Sequence, residues 1–470
     1  MSRHITTRAQ VSGYRFGLAR AEHALVRRDV RMMHDPMRAQ ARSMIAGAVL
    51  AILVVAGAGI YGFIRPQPGV RDAQIVATDD GALYVLLDDV MHPVPNLASA
   101  RLILGQAAPV RKVSDRSLAE FPRGPQVGVV GAPATLAEPA DADRSTWTVC
   151  ESAESSAVIV GAVDGTVAGR VDGALVSHGG TAWLIYPSSG PDGTPVPVRA
   201  RVDQQSVAVL RALDLEAAVP RPVGSGLLNS FAARPELSVP EVPGRGSLGV
   251  LGLPVGSVVT TAGVDGTVSY HLVLRDAVQP LSEAAAETMR LADPNAGEKV
   301  RRVPPGDLAA VPVTSSLPLA HFPLVAPRLT DVQAPALCHR WSRDRDASVA
   351  SAELLAARRL PIPVDARPVN LASADGSGAA LDQVYVAPGT GEHVVLTGIE
   401  PDSRRVATPF YISDAGVRYG LGGTETGAIL GLPEPLRAPW PMVALLPAGP
   451  ELSREAAAVT RDGVTRDGVG

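Results

Sequence analysis

SMIAGAVLAILVVAGAGIYGFI occupies residues Ser43–Ile64 and contains no charged side chain, and Arg42 and Arg65 flank it. A helix of this length rises by about 1.5 Å per residue and reaches about 33 Å, which exceeds a hydrocarbon core of about 30 Å. A cleaved signal peptide is the alternative, but the basic segment before the apolar run and the run itself are both too long for one. The stretch therefore predicts one transmembrane helix over residues 43–64.

Charge is distributed unevenly around this stretch. Residues 1–42 contain nine Arg against three acidic residues, whereas the whole chain has a formal net charge of −4. The excess of Arg before the apolar stretch predicts that the N-terminus is cytoplasmic and that the residues after the span lie outside the inner membrane. A basic head on an acidic body also argues against a nucleic-acid binder, whose positive charge should lie on its main folded surface.

The cytoplasmic segment predicts two helices. Apolar residues at helical spacing among arginines indicate an amphipathic basic helix from about Tyr14 to His34. Asp35-Pro36 is a good start for a second helix, which runs through the membrane to Ile64. The arginine face can bind anionic lipid, or the first helix can dock on a protein partner, and these interpretations are compatible. The candidate docking residues are Val26, Arg27, Arg28, Val30 and Met33.

The chain has two cysteines, Cys150 and Cys338, and both follow the predicted span. A disulfide can form and persist outside the cytoplasm, where the compartment is oxidising. Two unrelated buried thiols are the alternative. Because each cysteine has only one possible partner, the sequence favours a Cys150–Cys338 bridge, which would stabilise the body by on the order of 4 kcal/mol through loop closure.

Beyond the membrane span, one short pattern occurs four times. Each copy has a strand, a polar turn and a second strand, and a helical patch follows. The strand pairs are Tyr84–Leu87 with Val90–Val94, Trp183–Tyr186 with Val196–Val202, Tyr270–Leu274 with Val278–Leu281, and Phe410–Ser413 with Val417–Leu421. A second helical segment closes each copy with a pair of apolar residues on one face, namely Leu118 and Phe121, Leu228 and Phe231, Leu308 and Val311, and Val443 and Leu446.

The two cysteines lie in the segments that separate the first repeat from the second and the third from the fourth. This order predicts two half-segments that meet as one β-rich central domain, bridged by the disulfide. The predicted fold class is α+β, with one transmembrane helix before a periplasmic body of four ββαα-like repeats around the central domain. The predicted boundaries are 1–42 cytoplasmic segment, 43–64 transmembrane helix, 70–139 repeat 1, 140–176 first half of the central domain, 177–237 repeat 2, 238–257 Pro-rich linker, 258–323 repeat 3, 324–400 second half of the central domain, 401–453 repeat 4, and 454–470 disordered tail.

Motifs for catalysis or nucleotide binding are absent from the sequence. There is no GxxxxGK[ST] phosphate loop, no GxSxG nucleophile motif and no HExxH zinc motif. Gly420–Gly427 is glycine-rich, but it lies between a strand and a helix of the fourth repeat, where we interpret it as a turn. Cys338-His339 is a possible metal-binding pair, but Cys150 has no adjacent His, so a cystine is favoured over a metal site. We assign no catalytic or cofactor-binding residue and expect no metal site.

Several motifs together carry a family resemblance. They are TRAQVSGYRF (Thr7–Phe16), RRDVRMM (Arg27–Met33), NLASARLILG (Asn96–Gly105), Cys150, Cys338 with Trp341, YISDAGVRYG (Tyr411–Gly420), Ala438-Pro439-Trp440 and LLPAGPELS (Leu445–Ser453). Through them, nearly the whole chain resembles EccB, a core membrane component of mycobacterial and actinobacterial type VII (ESX) secretion systems. The resemblance implies four repeat domains around a disulfide-bridged central β domain, EccB oligomers, and assembly with EccC, EccD and EccE, of which EccC is the FtsK/SpoIIIE-like motor ATPase.

These expectations favour a membrane-anchored scaffold that links the inner-membrane core of a secretion complex to the periplasm. EccB-like proteins are also described as ATPases, so ATP is a possible ligand by resemblance, although no motif in this sequence carries that activity. A third hypothesis is a cell-wall-binding module, since repeated small domains can present several equivalent grooves. Enzyme and scaffold therefore remain alternatives at the level of the sequence.

Overall fold

The structure is a computed structural model of the chain and describes residues 7–30, 36–64, 73–294, 300–330, 334–376 and 380–461. The chain divides into two compact units, Met1–Asp72 and Ala73–Gly470. The first contains the two N-terminal helices. The second, called the body below, contains all the described strands.

Helix α1 spans Arg8–Arg27, so the predicted helix Tyr14–His34 is wrong at both ends. It begins earlier because Thr7 and Gln10 form a capping box, in which each side chain accepts a hydrogen bond from the other's backbone N–H. It ends earlier because Arg28 adopts a left-handed conformation with φ of 55° and donates its N–H to the carbonyl of Ala24. Residues 31–34 of the predicted helix lie outside the described residues.

Helix α2 spans Pro36–Ile64, as the sequence predicted. Within it, Ala41–Tyr61 is long and apolar enough to cross a membrane, with a mean hydropathy of 2.4 and no part buried against the protein. This is the one such helix in the portion of the chain that the structure describes.

The body is built from short elements. Its strands are β1 Ile75–Ala77, β2 Leu83–Leu87, β3 Val90–Val94, β4 Val110–Lys112, β5 Gln126–Val127, β6 Arg144–Ser152, β7 Ser156–Val160, β8 Ala168–Arg170, β9 Ala174–His178, β10 Thr181–Ser189, β11 Pro195–Arg201, β12 Arg221–Pro222, β13 Ala232–Ala233, β14 Val258–Ala262, β15 Val268–Val273, β16 Val278–Leu281, β17 Arg301–Arg302, β18 Ala336–Asp344, β19 Ser351–Ala357, β20 Val369–Asn370, β21 Gln383–Val386, β22 Glu392–Thr397, β23 Pro409–Ile412, β24 Arg418–Gly420, β25 Leu436–Pro439 and β26 Thr460–Arg461. Its helices are α3 Leu97–Leu104, α4 Asp115–Leu118, α5 Val207–Ala212, α6 Ser225–Asn229, α7 Glu283–Leu291, α8 Pro305–Ala309, α9 Thr426–Leu430, α10 Trp440–Val443 and α11 Arg454–Ala457.

A seven-stranded sheet, in the order β20-β21-β7-β6-β18-β19-β8, forms the centre of the body. Its two central strands, β6 and β18, come from the two distant halves that the sequence predicted, and they pair antiparallel along their full length. Cys150 lies opposite Cys338, and their sulfurs are bonded at 2.05 Å. The predicted disulfide and the meeting of the two halves in one β-rich centre are therefore confirmed.

Four small sheets surround the central one and share a topology. Each has three antiparallel strands in chain order and a short return strand that pairs in parallel with the first, and in the second sheet a further strand, β13, pairs in parallel with β11. The four orders are β3-β2-β1-β4, β12-β9-β10-β11-β13, β16-β15-β14-β17 and β24-β23-β22-β25. One helix precedes the return strand and another follows it. The predicted ββαα pattern therefore lacks the first and the return strands, because runs of two to six residues carry little readable periodicity. Below, these assemblies are units 1 to 4 in chain order.

Several predicted boundaries require correction. Strand β22 lies within 324–400, the predicted second half of the central domain, but it pairs in unit 4, and β9 likewise begins unit 2 before residue 177. The segment 238–257 is not a free linker, because Val242 and Val255 are buried in the core shared by units 2 and 3. Residues 454–461 are not a disordered tail, because they form α11 and then β26, which pairs with β5. Residues 462–470 lie outside the described part of the chain.

Packing joins the units in a definite order. Units 2 and 4 bury apolar side chains against one face of the central sheet, around Trp147 and Trp341. Unit 1 packs on unit 4 through α3, α9 and α11, and unit 3 packs on unit 2 through α5 and α7. The C-terminal strand β26 pairs with β5 and so joins the end of the body to unit 1.

We expect Cys150→Ala to lower the free energy of unfolding of the body by about 2–5 kcal/mol, because the bridge restrains two distant strands in the unfolded chain. Denaturant unfolding of the full chain in detergent, followed by the fluorescence of buried Trp147 and Trp341, measures the change. Cys338→Ala and the reduced parent are the controls and should lose a similar amount. Complete alkylation of both cysteines in the unreduced, denatured parent would show that the bridge does not exist.

Candidate functional site

One candidate site is an exposed apolar face on α1. Val11, Tyr14, Leu18 and Leu25 occupy positions i, i+3, i+7 and i+14, which fall on one side of a helix. Their exposures run from 42% for Val11 to 83% for Leu25. An exposed apolar face of this kind indicates a surface for a protein partner or for the headgroup region of a membrane.

The structure separates the predicted docking residues. Val26 and Arg27 lie in the last turn of α1, and Arg28 is its cap. Val30 follows the helix and is exposed, so it does not extend a stripe from Val26 as predicted. Met33 lies outside the described residues. The helical spacing of Tyr14, Leu18 and Leu25 is the signal in the sequence that indicates this exposed face.

A second candidate feature lies in the body and is a buried histidine, His339, next to the disulfide-bonded Cys338. The ring of His339 stacks on Phe231 at 4.1 Å between centroids, and its Nδ1 lies 3.0 Å from Ser230 Oγ. Ser230 donates its hydroxyl proton to the carbonyl of Leu227, so it accepts from Nδ1–H, and Nε2 has no partner. Burial lowers the pKa of His339 to about 3, since a proton on Nε2 would find neither water nor an acceptor.

Glu392, at the start of β22, is also buried, and burial shifts its pKa in the opposite direction to that of His339. Burial raises the pKa of this carboxyl to about 8, although Ser145 Oγ donates a hydrogen bond to it at 3.2 Å. Trp147 Nε1 donates in turn to Ser145 Oγ at 2.9 Å. The network links unit 4 to the central sheet through a carboxyl that is neutral below about pH 8. No motif in the sequence marks either buried group.

A cleft of about 710 Å³ opens beside Glu392 on the central sheet. Two arginines line it, and each is paired with a carboxylate: Arg144 with Asp344 at 2.5 Å, and Arg340 with Glu353. Both arginines of the cleft are therefore already paired, and neither offers an uncommitted positive charge to a phosphate.

The glycine-rich stretch Gly420–Gly427 is a turn, as the sequence predicted, and it connects β24 to α9. A Cβ added at Gly427 would lie 2.5 Å from the ring of His393, so this glycine permits close packing. Within the described residues no group of three or more His, Cys, Asp or Glu is placed to hold a metal ion, and Cys338 is committed to the disulfide.

These features define a class: a protein with one helix that is long and apolar enough to span a membrane and with a β-rich, disulfide-bonded body. The chain matches the family described as "Type VII secretion system ESX-1, transport TM domain B" over residues 3–466. The chain therefore belongs to the EccB family of type VII secretion proteins, which confirms the resemblance seen in the sequence.

Curated relatives match along almost their whole length. The chain is 34% identical to the ESX-3 secretion system ATPase EccB3 of Mycolicibacterium smegmatis, covering 98% of this chain and 92% of that protein. It is 33% identical to the ESX-5 secretion system ATPase EccB5 of Mycobacterium tuberculosis, covering 98% and 95%.

Solved structures are similar as well. A chain of an intact ESX-5 inner membrane complex matches with a TM-score of 0.71 and 32% identity, covering 100% of this chain and 98% of that one. An EccB3 dimer from an ESX-3 core complex matches with a TM-score of 0.68 and 31% identity, covering 82% and 100%.

We expect the body to lose stability below pH 6.5 through His339. The folded state holds this ring neutral and the unfolded state protonates it. The contribution of His339 to the free energy of unfolding therefore falls by about 1.4 kcal/mol per pH unit below pH 6.5, or by about 3 kcal/mol at pH 4.5. Denaturant unfolding at pH 7.5 and pH 4.5 is compared between the full-length parent and His339→Gln, because Glu392 shifts stability in the opposite direction over the same range. The difference between the two pH-dependent changes isolates the His339 contribution.

Glu392→Gln is the matched control because its effect has the opposite sign. The folded carboxyl binds its proton more tightly than the unfolded one, so its stabilisation is complete below pH 4.5 and is lost as pH rises to about 8. The substitution should remove the fall in stability that Glu392 causes between pH 4.5 and about 8, and it should leave the His339 contribution below pH 6.5 unchanged. An unchanged pH profile in His339→Gln would contradict the assignment.

Proposed function

We propose that this protein is the membrane-anchored scaffold subunit of a type VII (ESX) secretion complex and links its inner-membrane core to the periplasm. The observation that carries the proposal is the joining of one apolar helix, Ala41–Tyr61, to a large disulfide-bonded body. Family membership and likeness to chains of ESX inner-membrane complexes support it. The proposed partners are EccC, EccD, EccE and further copies of this chain.

The ATPase names of the relatives supply the second candidate function. Against it stands the chemistry of the central cleft, whose two arginines are paired with Asp344 and Glu353. The scaffold proposal therefore assigns ATP to the motor partner and none to the described residues. Cell-wall binding is a third possibility, and cosedimentation with peptidoglycan tests it directly.

We further propose that units 1 to 4 are copies of one repeat. Their common strand order, the parallel return strand and the paired helices support this proposal. Units 2 and 4 use the apolar pairs Leu228–Phe231 and Val443–Leu446 for the same purpose, which is to cover the central sheet. A repeat used in this way gives a rigid periplasmic platform without a catalytic centre.

The orientation that we propose places α1 in the cytoplasm and the body in the periplasm. The nine Arg of residues 1–42, which precede the apolar run, support the first half of the proposal. The disulfide supports the second half, because such bonds persist in oxidising compartments.

A reporter that is active only in the periplasm should work when fused after Gly470 and should fail when fused before Arg3. External protease should digest the body in spheroplasts and leave a small membrane fragment, and lysed cells serve as the control in which α1 is also digested. Activity of the N-terminal fusion alone would reverse the orientation.

We propose that the exposed face of α1 docks on another core protein of the complex, with the arginines beside it binding anionic lipid. The face contains large apolar side chains, Tyr14, Leu18 and Leu25, whereas lipid attraction alone needs only the charge of Arg15 and its neighbours. A surface of this size on the cytoplasmic side is close to the membrane because α2 begins at Pro36.

Replacing Tyr14, Leu18 and Leu25 with Ser preserves every arginine, so the chain should insert with normal orientation. If a protein covers the face, the amount of core components that copurify with the variant in mild detergent should fall at least tenfold, and secretion should fall with it. Phe16→Ser is the control, because Phe16 is 59% exposed on the opposite side of α1. A triple variant that assembles and secretes normally would leave α1 as a lipid-facing anchor.

A further inference from the structure

The cleft of about 710 Å³ beside Glu392 lies on one face of the central sheet. Thr146 of β6 and Ser342 of β18 line it, and each is adjacent in its strand to a buried tryptophan, Trp147 or Trp341. Because successive side chains of a strand point to opposite faces, the cleft and the tryptophans lie on opposite faces of the sheet. Units 2 and 4 pack on the tryptophan face, so the cleft belongs to the other face.

Polar cross-strand pairs form the floor of this cleft. Ser342 lies opposite Ser351 in the strand register, and their hydroxyl oxygens are 2.8 Å apart. Arg340 lies opposite Glu353, and the two side chains form an ion pair. The floor therefore presents donors and acceptors side by side, because guanidinium N–H groups donate, a carboxylate accepts and a hydroxyl does both.

The formal charges of the cleft lining cancel. Arg144 and Arg340 are positive, and Asp141 and Glu353 are negative. Burial raises the pKa of Glu392 to about 8, so this carboxyl adds no charge at neutral pH. A ligand with a net charge would have to break an existing ion pair to gain a counter-charge, whereas an uncharged ligand would not. The lining therefore favours an uncharged ligand that forms hydrogen bonds.

Glu392 supplies a hydrogen-bond donor to the same cleft. The residue is only 5% exposed, and its Oε2 accepts a hydrogen bond from Ser145 Oγ, which itself accepts one from Trp147 Nε1. Both hydrogen bonds run towards the carboxyl, so neither group of this network accepts the proton that the neutral carboxyl carries. Because Glu392 lines the cleft, a ligand there can accept that proton in a hydrogen bond.

We propose that the cleft binds a neutral saccharide. Each sugar hydroxyl both donates and accepts, which matches the paired donors and acceptors of the floor, and a hydroxyl or acetamido oxygen can accept from Glu392. The volume of the cleft lies within the range of about 300–1,000 Å³ that is typical of ligand sites. This proposal does not rest on the scaffold function, because it concerns binding by the chain alone.

A peptide fits the cleft less well than a sugar. Extended peptides bind along free strand edges, or they place side chains in apolar pockets. The floor strands β6, β18 and β19 each pair with a neighbour on both sides. The apolar part of the lining consists of small side chains, namely Ala140, Ala142, Ala162 and Val163. The cleft therefore presents polar side chains rather than free backbone groups or large apolar pockets.

Sugars of equal length and different charge test the neutral character of the ligand. The full chain, purified in a detergent without a sugar headgroup, is titrated by calorimetry with chitotriose and maltotriose, which are neutral. Deacetylated chitotriose, which is positive, and trigalacturonate, which is negative, are the comparison. At least one neutral trimer should bind about tenfold more tightly than either charged trimer. Preference for a charged trimer, or no binding of either neutral trimer at millimolar concentration, would overturn the proposal.

Two substitutions test the donor at Glu392 with the tighter neutral trimer. Glu392→Met removes the donor and should weaken binding about tenfold at pH 7. The parent should bind about tenfold more weakly at pH 9 than at pH 7, because most of the carboxyl has then lost its proton. Glu392→Gln keeps a donor that does not titrate, so its affinity should be equal at the two pH values. A fall in Glu392→Gln equal to that of the parent would assign the pH dependence to another charged group facing the cleft, among Asp141, Arg144, Arg340 and Glu353, and would overturn the role of Glu392.

The serines of the floor provide an arm that leaves the buried carboxyl in place. Ser342→Ala with Ser351→Ala removes both hydroxyls and should weaken binding of the neutral trimer about tenfold. Ser152→Ala with Ser155→Ala is the matched control, because these hydroxyls are also paired, at 3.3 Å, but lie at the turn between β6 and β7 outside the cleft lining. Thermal unfolding verifies that each variant is folded. Parental binding by the folded floor variant would overturn the proposal.

Competition distinguishes a soluble sugar from a cell-wall polymer as the source of the saccharide. The parent is cosedimented with insoluble peptidoglycan, with and without an excess of the tighter neutral trimer, and Glu392→Met is tested beside it. Release by the trimer, together with loss of cosedimentation in the variant, would assign the cleft to wall glycan. Binding of the trimer without cosedimentation would assign it to a soluble saccharide.

Discussion

The body depends on the pairing of β6 with β18, which joins strands from opposite halves of the chain across a nine-residue register. A pairing of such distant segments costs much loop-closure entropy, and the Cys150–Cys338 bond restrains the same two strands in the unfolded chain. Trp147 lies opposite Trp341 on this strand pair, and both are fully buried. The centre is therefore held covalently by a bond between neighbouring strands and non-covalently by the apolar core on one face.

This central pair also explains the arrangement of the small units. Units 2 and 4 follow the two halves of the central sheet in sequence, so short connections place them on its face, where Leu228 and Val443 cover the tryptophans. Units 1 and 3 precede those halves and have no share of that face. Each packs instead on the unit contributed by the other half, and β26 reinforces the first of these contacts by pairing with β5.

The sequence predicted the features that depend on long or rare signals. An uninterrupted apolar run located α2, two cysteines predicted the bridge, and a recurring strand–turn–strand pattern located the small units. Short elements were missed because a strand of two residues, such as Arg301–Arg302, acquires its identity only from a partner strand. The end of α1 was missed for a related reason: a non-glycine residue in the left-handed region, Arg28, gives no signal in composition.

The candidate sites were less predictable than the fold because they depend on differences between similar elements. Leu228 and Leu308 occupy the same place in two units, yet one is buried against the central sheet and the other is partly exposed. Nothing in either residue distinguishes them, since burial is a property of the assembly around a residue. The second helix of the small unit covers the central sheet in units 2 and 4, whereas the corresponding helix of unit 3, α8, has no buried residue. An apolar surface that is buried in two units is therefore partly exposed in the third. In this fold, the uncovered copies of a structural face are where new contacts can arise without disturbing the core.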